Sequence, residues 1–365
     1  MTQNPGRRIA YFAHVSGGGE SGVFHKMASQ VDAWRALGAT VRVFVATRDD
    51  PAVWDARFSD VVVRRYQGPR SRISAMIDLV REVRRFRPRI VYLRWDLFYP
   101  PMAFFPRDAA LVVEVNTDDL EEYKIGSRVR LVYHKLTRDL ILRRARALVF
   151  VTSELSRSAS FKRFKGRHVV ITNGIDLDAY PELPSPGGAE PRLVFVGSAG
   201  QPWHGIDKML ELAGARPAWG FEVAGMWDGM DPYGVTPYAP PNVIWHGPLD
   251  RDGVIKVLAL ADVAVGTLAL HRKGMDEACA LKIREYLAVG LPVLYGYTDP
   301  DADALGPYVL RLPNTESNVV DGLADIEAFV QRSRGVRVPR SAVAQIDVAR
   351  KEEQRMALFD ALAKP

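Results

Sequence analysis

RIAYFAHVSGGGESGVFHKMASQVDAWRALGATVRVFVAT (8–47) reads as strand, glycine loop, helix and strand. RIAYFAHV (8–15) and TVRVFVAT (40–47) are short apolar runs of the kind that form strands buried on both faces. Residues 22–37 between them place apolar side chains at helical spacing. A strand–helix–strand unit of this length predicts parallel pairing. The pattern continues outward with RIVYLRW (89–95), LVVEVN (111–116), ALVFVT (147–152) and VVITN (169–173), and with helical stretches at 70–87 and 127–146. LDAYPELPSPGGAEP (177–191), rich in Pro and Gly, ends the series and reads as a linker.

A second series follows: RLVFVGS (192–198), GFEVAGM (220–226), NVIWHG (242–247), DVAVGT (262–267) and PVLYGY (292–297). Helical patterns at 205–215, 250–261 and 279–289 separate its members, and 340–364 reads as a final helix. The expected fold class is α/β, with two doubly wound Rossmann-like domains. Their expected extents are 1–180 and 192–340, joined by a linker at 181–191, with 341–365 crossing back to the first domain. Such sheets bind ligands at the carboxyl ends of their strands. Two facing edges would make an interdomain cleft.

Composition narrows the class. The 365 residues are 47 % hydrophobic and 25 % charged, as in globular proteins, so wholesale disorder is excluded. No apolar run reaches the ~18–20 residues of a membrane span, and the start lacks the apolar core of a signal peptide. A cytoplasmic location is the expectation, with peripheral contact at the inner face of the membrane. One cysteine, Cys279, excludes an internal disulfide. Residues 1–180 carry 31 Lys and Arg against 19 Asp and Glu (+12), whereas 181–365 carry 18 against 24 (−6). A basic first half suits an anionic membrane or anionic acceptor. Nucleic acid is not expected, because no recognised binding module accompanies the charge.

Two segments carry motif-level chemistry. Gly17, Gly19 and Gly22 stand in GxGxxG spacing, a loop whose backbone can approach a phosphate. A nicotinamide enzyme would need an acidic residue ending the second strand. Asp49 and Asp50 come near, although Arg48 and the polar extension loosen that fit. RKGMDEACALKIREYLAVGLPVLYG (272–296) places Glu277 eight residues before Glu285, with Lys282 between them at the start of a helix. A helix N-terminus suits a diphosphate, and a glutamate one turn in suits a ribose diol.

That segment resembles the donor-site signature of glycosyltransferase family 4, retaining enzymes of the two-Rossmann-domain (GT-B) fold. VVITNGIDLDAYPELP (169–184) resembles the end of that family's first domain, and RLVFVGSAGQPWHGIDKMLELA (192–213) the opening of its second. The resemblance implies transfer of a sugar from a nucleotide-diphosphate donor, without metal or cofactor, to a saccharide or lipid-linked acceptor. It assigns Gly18 and Gly19 to the donor diphosphate or acceptor. It assigns the backbone of Cys279, Ala280 and Leu281, with Lys282, to the diphosphate. Glu285 would bind the ribose, Glu277 the sugar or its phosphate, and the backbone at Gly247 and Leu249 would frame the base.

Ser198 and His204 stand where the family has an Arg and a Lys. A protonated His204, or Lys273, Arg272 or Lys282, would have to supply that charge. Glu114, Asn116 or Asp118 would take the place of a family histidine near the transferred sugar. Arg94, Asp96 and Tyr99 end the third strand and are expected to touch the acceptor. The rivals are a sugar-nucleotide epimerase, a nucleotide-sugar-binding protein without turnover, and the nicotinamide enzyme. Cell-surface polysaccharide or glycoconjugate synthesis is the expected setting.

Overall fold

Val, Ile, Phe and Tyr crowd the central strands, because these are covered on both faces and have no polar side. The computed structural model describes residues 7–19, 21–125, 128–227 and 239–363. The chain divides into two units, Met1–Gly174 with Val348–Pro365, and Ile175–Asp347.

The first unit is built on β1 (Arg8–His14), β2 (Thr40–Thr47), β3 (Val61–Arg65), β4 (Ile90–Arg94), β5 (Ala110–Val115), β6 (Ala147–Phe150) and β7 (Arg167–Val170). They form one parallel sheet in the order β3-β2-β1-β4-β5-β6-β7. The second unit holds β8 (Arg192–Val196), β9 (Gly220–Ala224), β10 (Val243–Gly247), β11 (Val263–Val265), β12 (Val293–Tyr295) and β13 (Val309–Arg311). Its sheet, also parallel, runs β10-β9-β8-β11-β12-β13. Both orders reverse direction beside the first strand of the unit, as in the doubly wound fold expected.

Several elements differ from the sequence reading. β3 and β13 were not anticipated, β7 starts two residues earlier than expected, and the 340–364 helix is a 3-10 turn (Arg340–Ile346) followed by Val348–Ala363. The stretch 127–146 is likewise divided into Arg128–Thr137 and Asp139–Leu142. Residues 181–191 do not hang free. The Leu183 N–H donates to Val289 O, and Arg337 and Arg334 donate to the carbonyls of Leu183, Pro184, Gly188 and Ala189.

The last helix, Val348–Ala363, completes the core of the first unit. Phe359 packs edge-on against Trp34 and Tyr92. Glu352 accepts from the Trp34 indole at 2.6 Å and pairs with Arg355. Beside them Glu114 on β5, fully buried, meets Lys26 at 2.9 Å, Arg94 at 3.3 Å and Arg355 at 3.7 Å. Burial works to raise the Glu114 carboxyl, but these cations prevail and hold it well below the usual range. Burial draws Lys26 down to about 8, against the pull of Glu114.

Candidate active site

In the second unit the sheet reverses direction between β8 and β11, so the loops after these strands flank the crevice where such folds take ligands. The helix Leu281–Ala288 is fastened beside it. Its Tyr286 hydroxyl accepts the Val196 N–H at 2.8 Å, and its Arg284 is buried with Asp299 and Asp301. Ala280, the residue before the helix, has an extended backbone and caps nothing with its side chain. The first-turn N–H groups, at Leu281 and beyond, thus meet no capping side chain and present a positive dipole end. Cys279 next to them is buried.

Lys282 stands in that first turn. Its Nζ is buried, makes no hydrogen bond and lies 4.3 Å from the centre of the Phe195 ring at the end of β8. An ammonium buried over a ring without a hydrogen bond is costly, and burial draws it down to about 7 although Glu285 works the other way. Glu285 itself is raised by burial, against Tyr180, Arg251 and Lys282. The Tyr180 hydroxyl donates to it at 3.4 Å, and the Arg251 guanidinium covers the Tyr180 ring at 4.6 Å.

Two suggestions about replacement charge fail here. His204 is buried, and burial together with the charges of Lys282 and Lys273 pulls it down to about 2, so it is a neutral imidazole at physiological pH. Arg272 is bidentate to Asp207 at 2.9 and 2.6 Å and also paired with Glu316, so its charge is already spent. Lys273 lies over the Trp203 ring at 4.4 Å. Ser198, exposed, accepts from Gln201 at 2.5 Å.

Three glycines end β8, β9 and β10. Gly197 N–H donates to Ala224 O, and Gly225 N–H to Gly247 O. Gly225 has φ +92°, and a Cβ there would lie 2.2 Å from Gly197 O. The exposed Trp227 indole lies against Gly247, where a Cβ would meet the ring at 2.3 Å. Leu249 follows, just before the residue that caps the Arg251–Leu258 helix. Gly225→Ala is expected to destabilise the protein by about 2–4 kcal/mol, from the left-handed backbone and the clash together. Urea denaturation would show it, and an unshifted midpoint would refute the packing described. Glu277, half-buried, precedes the helix, and its backbone pairs with Thr298.

The first unit has its own reversal between β1 and β4. Gly17 and Gly18, both at positive φ, donate their N–H groups to Asp49 at 3.2 and 2.9 Å. An internal carboxylate thus engages amides that were expected to face a ligand. At Gly19 a Cβ would meet Val53 at 3.2 Å. The acceptor residues part company. Arg94 turns inward to Glu114, whereas Asp96 and Tyr99 converge on His14, the last residue of β1. His14 Nδ1 faces Asp96 at 2.6 Å and its Nε2 faces the Tyr66 hydroxyl at 2.5 Å, while the Tyr123 hydroxyl donates to Asp96 at 3.0 Å. Burial works to raise Asp96, but these bonds and the charges of His14 and Arg130 hold it low. Sequence reading missed His14, although it sits directly before the glycine loop.

The residues expected near the transferred sugar are committed to structure. Asn116 accepts from Lys26 at 2.8 Å and donates to Glu114. Asp118 accepts the N–H groups of Leu120 and Glu121 and the Ser160 hydroxyl. Among the described residues no group of three or more His, Cys, Asp or Glu is arranged to hold a metal ion.

Two doubly wound units, each with charged and glycine-lined strand ends, define the GT-B class. Similar whole-chain architecture occurs in sucrose-phosphate synthase from Thermosynechococcus elongatus, at 15 % identity and TM-score 0.68, covering 98 % of this chain and 99 % of that one. Anabaena HepE in complex with UDP and glucose matches at 16 % and 0.68, covering 96 % and 99 %. The lipopolysaccharide outer core galactosyltransferase WaaB matches at 11 % and 0.63, covering 97 % and 99 %. No curated protein sequence matches. Residues 21–174 match the family model of the glycosyl transferase 4-like domain.

Proposed function

We propose that this protein is a retaining glycosyltransferase whose second unit holds a nucleoside-diphosphate sugar and whose first unit takes a saccharide or lipid-linked acceptor. The observation that carries this reading is the Lys282 ammonium, buried without a hydrogen bond in the uncapped first turn of the Leu281–Ala288 helix, with Glu285 one turn on. A diphosphate supplies the anion that Lys282 lacks and the acceptor that the first-turn N–H groups lack. Glu285 accepts hydrogen bonds from the ribose diol, and the glycine-lined strand ends with Trp227 frame the base. Glu277 contacts the sugar or its nearer phosphate.

Transfer proceeds by front-face attack, with the departing diphosphate taking the acceptor proton. The Lys282 charge and the helix dipole stabilise the leaving group, so the reaction needs no bound metal. HepE, whose structure holds UDP and glucose, and WaaB, a lipopolysaccharide galactosyltransferase, support a nucleotide-sugar donor and a surface-glycoconjugate setting.

Thermal shift with UDP, GDP, ADP, dTDP and NADH tests the reading. One nucleoside diphosphate is expected to stabilise the protein by about 2.7 kcal/mol at a hundredfold excess over its Kd. In Glu285→Ala that stabilisation should largely vanish while the unliganded melting temperature stays or rises, since a buried carboxyl is removed. A response to NADH alone, or an undiminished nucleotide response in Glu285→Ala, would refute the assignment.

A further inference from the structure

The helical stretch Arg128–Thr137, continued by Asp139–Leu142, turns apolar side chains to solvent. Val129 is 80 % exposed, Val132 57 %, Leu136 75 % and Leu140 57 %. Their spacing, three, four and four residues apart, sets them in one stripe along the helix. Phe104, 67 % exposed, ends the Pro100–Phe104 turn, which packs against Asp139–Leu142. Arg144 ties the Pro100–Phe104 turn to the helical stretch through the carbonyls of Ala103 and Phe105, and Tyr133 does so at Phe98. Water-soluble surfaces rarely gather so many large apolar groups on one face.

The stripe cannot turn inward. On the opposite side of the same helix, buried His134 and Arg138 grip Asp119 at 2.7, 2.9 and 2.8 Å, and the Trp95 indole donates to the same carboxylate at 2.7 Å. This network fixes the rotation of the helix about its axis.

Arg128, Arg130 and Lys135, all exposed, flank the stripe, and Arg143 extends from its end. The neighbouring Pro69–Phe86 helix adds exposed Arg70, Arg81 and Arg85, with Ile73 and Ile77 partly exposed between them. Apolar groups ringed by arginine and lysine match the boundary between acyl chains and anionic headgroups. Arg81, Arg85 and Arg143 pair with Asp78, Glu82 and Asp139 of the same stretches. The net positive charge beside the stripe therefore comes from residues such as Arg70, Arg128 and Lys135, which anionic headgroups would answer while acyl chains take the apolar groups. We infer that this face docks on an anionic lipid bilayer, with the helix lying in the interface plane. No helix among the described residues is long and apolar enough to cross a membrane, so the contact is peripheral.

The test is sedimentation of the full chain with vesicles of phosphatidylcholine alone and of equal parts phosphatidylcholine and phosphatidylglycerol. Binding is expected only to the anionic vesicles and should weaken as salt rises. Val132→Asp with Leu136→Asp should reduce it about tenfold or more without lowering the melting temperature, because both side chains are exposed. Arg128→Gln should cost about fivefold. Failure to bind anionic vesicles at low salt would overturn the proposal. So would full binding by the double aspartate variant, or a dimer in solution that this variant splits. None of these readouts depends on sugar transfer, so the proposed activity stands or falls separately.

Discussion

In Lys282→Met, kcat/KM for the nucleotide sugar falls about 10²–10³-fold while the melting temperature rises. The two effects have one cause. The ammonium is buried without a hydrogen bond, so the unliganded fold bears its desolvation, and a diphosphate is the group that repays it. Methionine removes the charge, keeps the bulk against Phe195 and relieves the fold. The pH dependence follows with a definite sign. Lys282 titrates at about 7 in the unliganded protein, and a bound dianion raises that value. Below pH 7 the group is protonated in both states and donor affinity is level. Above pH 7 binding must take up a proton, so affinity falls as pH rises towards the bound value. Calorimetric titration at pH 8 in buffers of differing ionisation enthalpy should show that uptake in the natural protein and none in the variant. Equal kcat/KM and equal proton uptake in the two proteins would remove Lys282 from the donor site.

Glu114→Gln should destabilise the protein by about 3–5 kcal/mol, because it strips the shared anion from Lys26, Arg94 and Arg355 in a buried place. A domain of this size loses roughly 2–4 °C per kcal/mol, so the calorimetric transition should drop by about 10 °C. Pairing the change with Arg355→Met should recover part of the loss. The carboxyl is held below its unfolded value, so its contribution is present above the usual carboxylate range and disappears as pH falls through and below it. Acid unfolding of the natural protein should therefore be steeper than that of Glu114→Gln. An unchanged transition in the variant would mean that the cluster is neutral to stability.

Strands buried on both faces leave contiguous apolar runs, which is why β1, β2, β4 and β5 could be read within a residue or so. β3, VVVRR, is half-buried at the sheet edge and ends in two arginines. β13 has three residues and follows an irregular 3-10 turn that contains Pro307. Neither leaves a periodic signal. The Leu281–Ala288 helix, with Glu285 inside it and Glu277 before it, was legible because so short a segment keeps its spacing in the chain. Charge partnerships were not legible. Arg272 meets Asp207 and Glu316, 65 and 44 positions away, and His14 meets Asp96 across 82. Such pairs exist only once strand ends converge. Burial, which neutralises His204 and unsettles Lys282, is likewise a property of the packed fold and not of any local pattern.

The chain leaves the first unit at Gly174 and re-enters it at Val348, and the two crossings run side by side. Ile175 bridges to Asp347, and a Cβ on Gly174 would lie 2.7 Å from the Val348 backbone. The second unit is thus an uninterrupted passage, 175–347, inserted into the first. On a ribosome the order of completion inverts the order of synthesis. Trp34 and Tyr92 emerge early but must wait for Phe359, some 270 residues behind Tyr92, before their packing closes. The unit begun first is finished last, and any stop codon upstream of Arg355 strands a half-made core with Glu114 short of one of its partners.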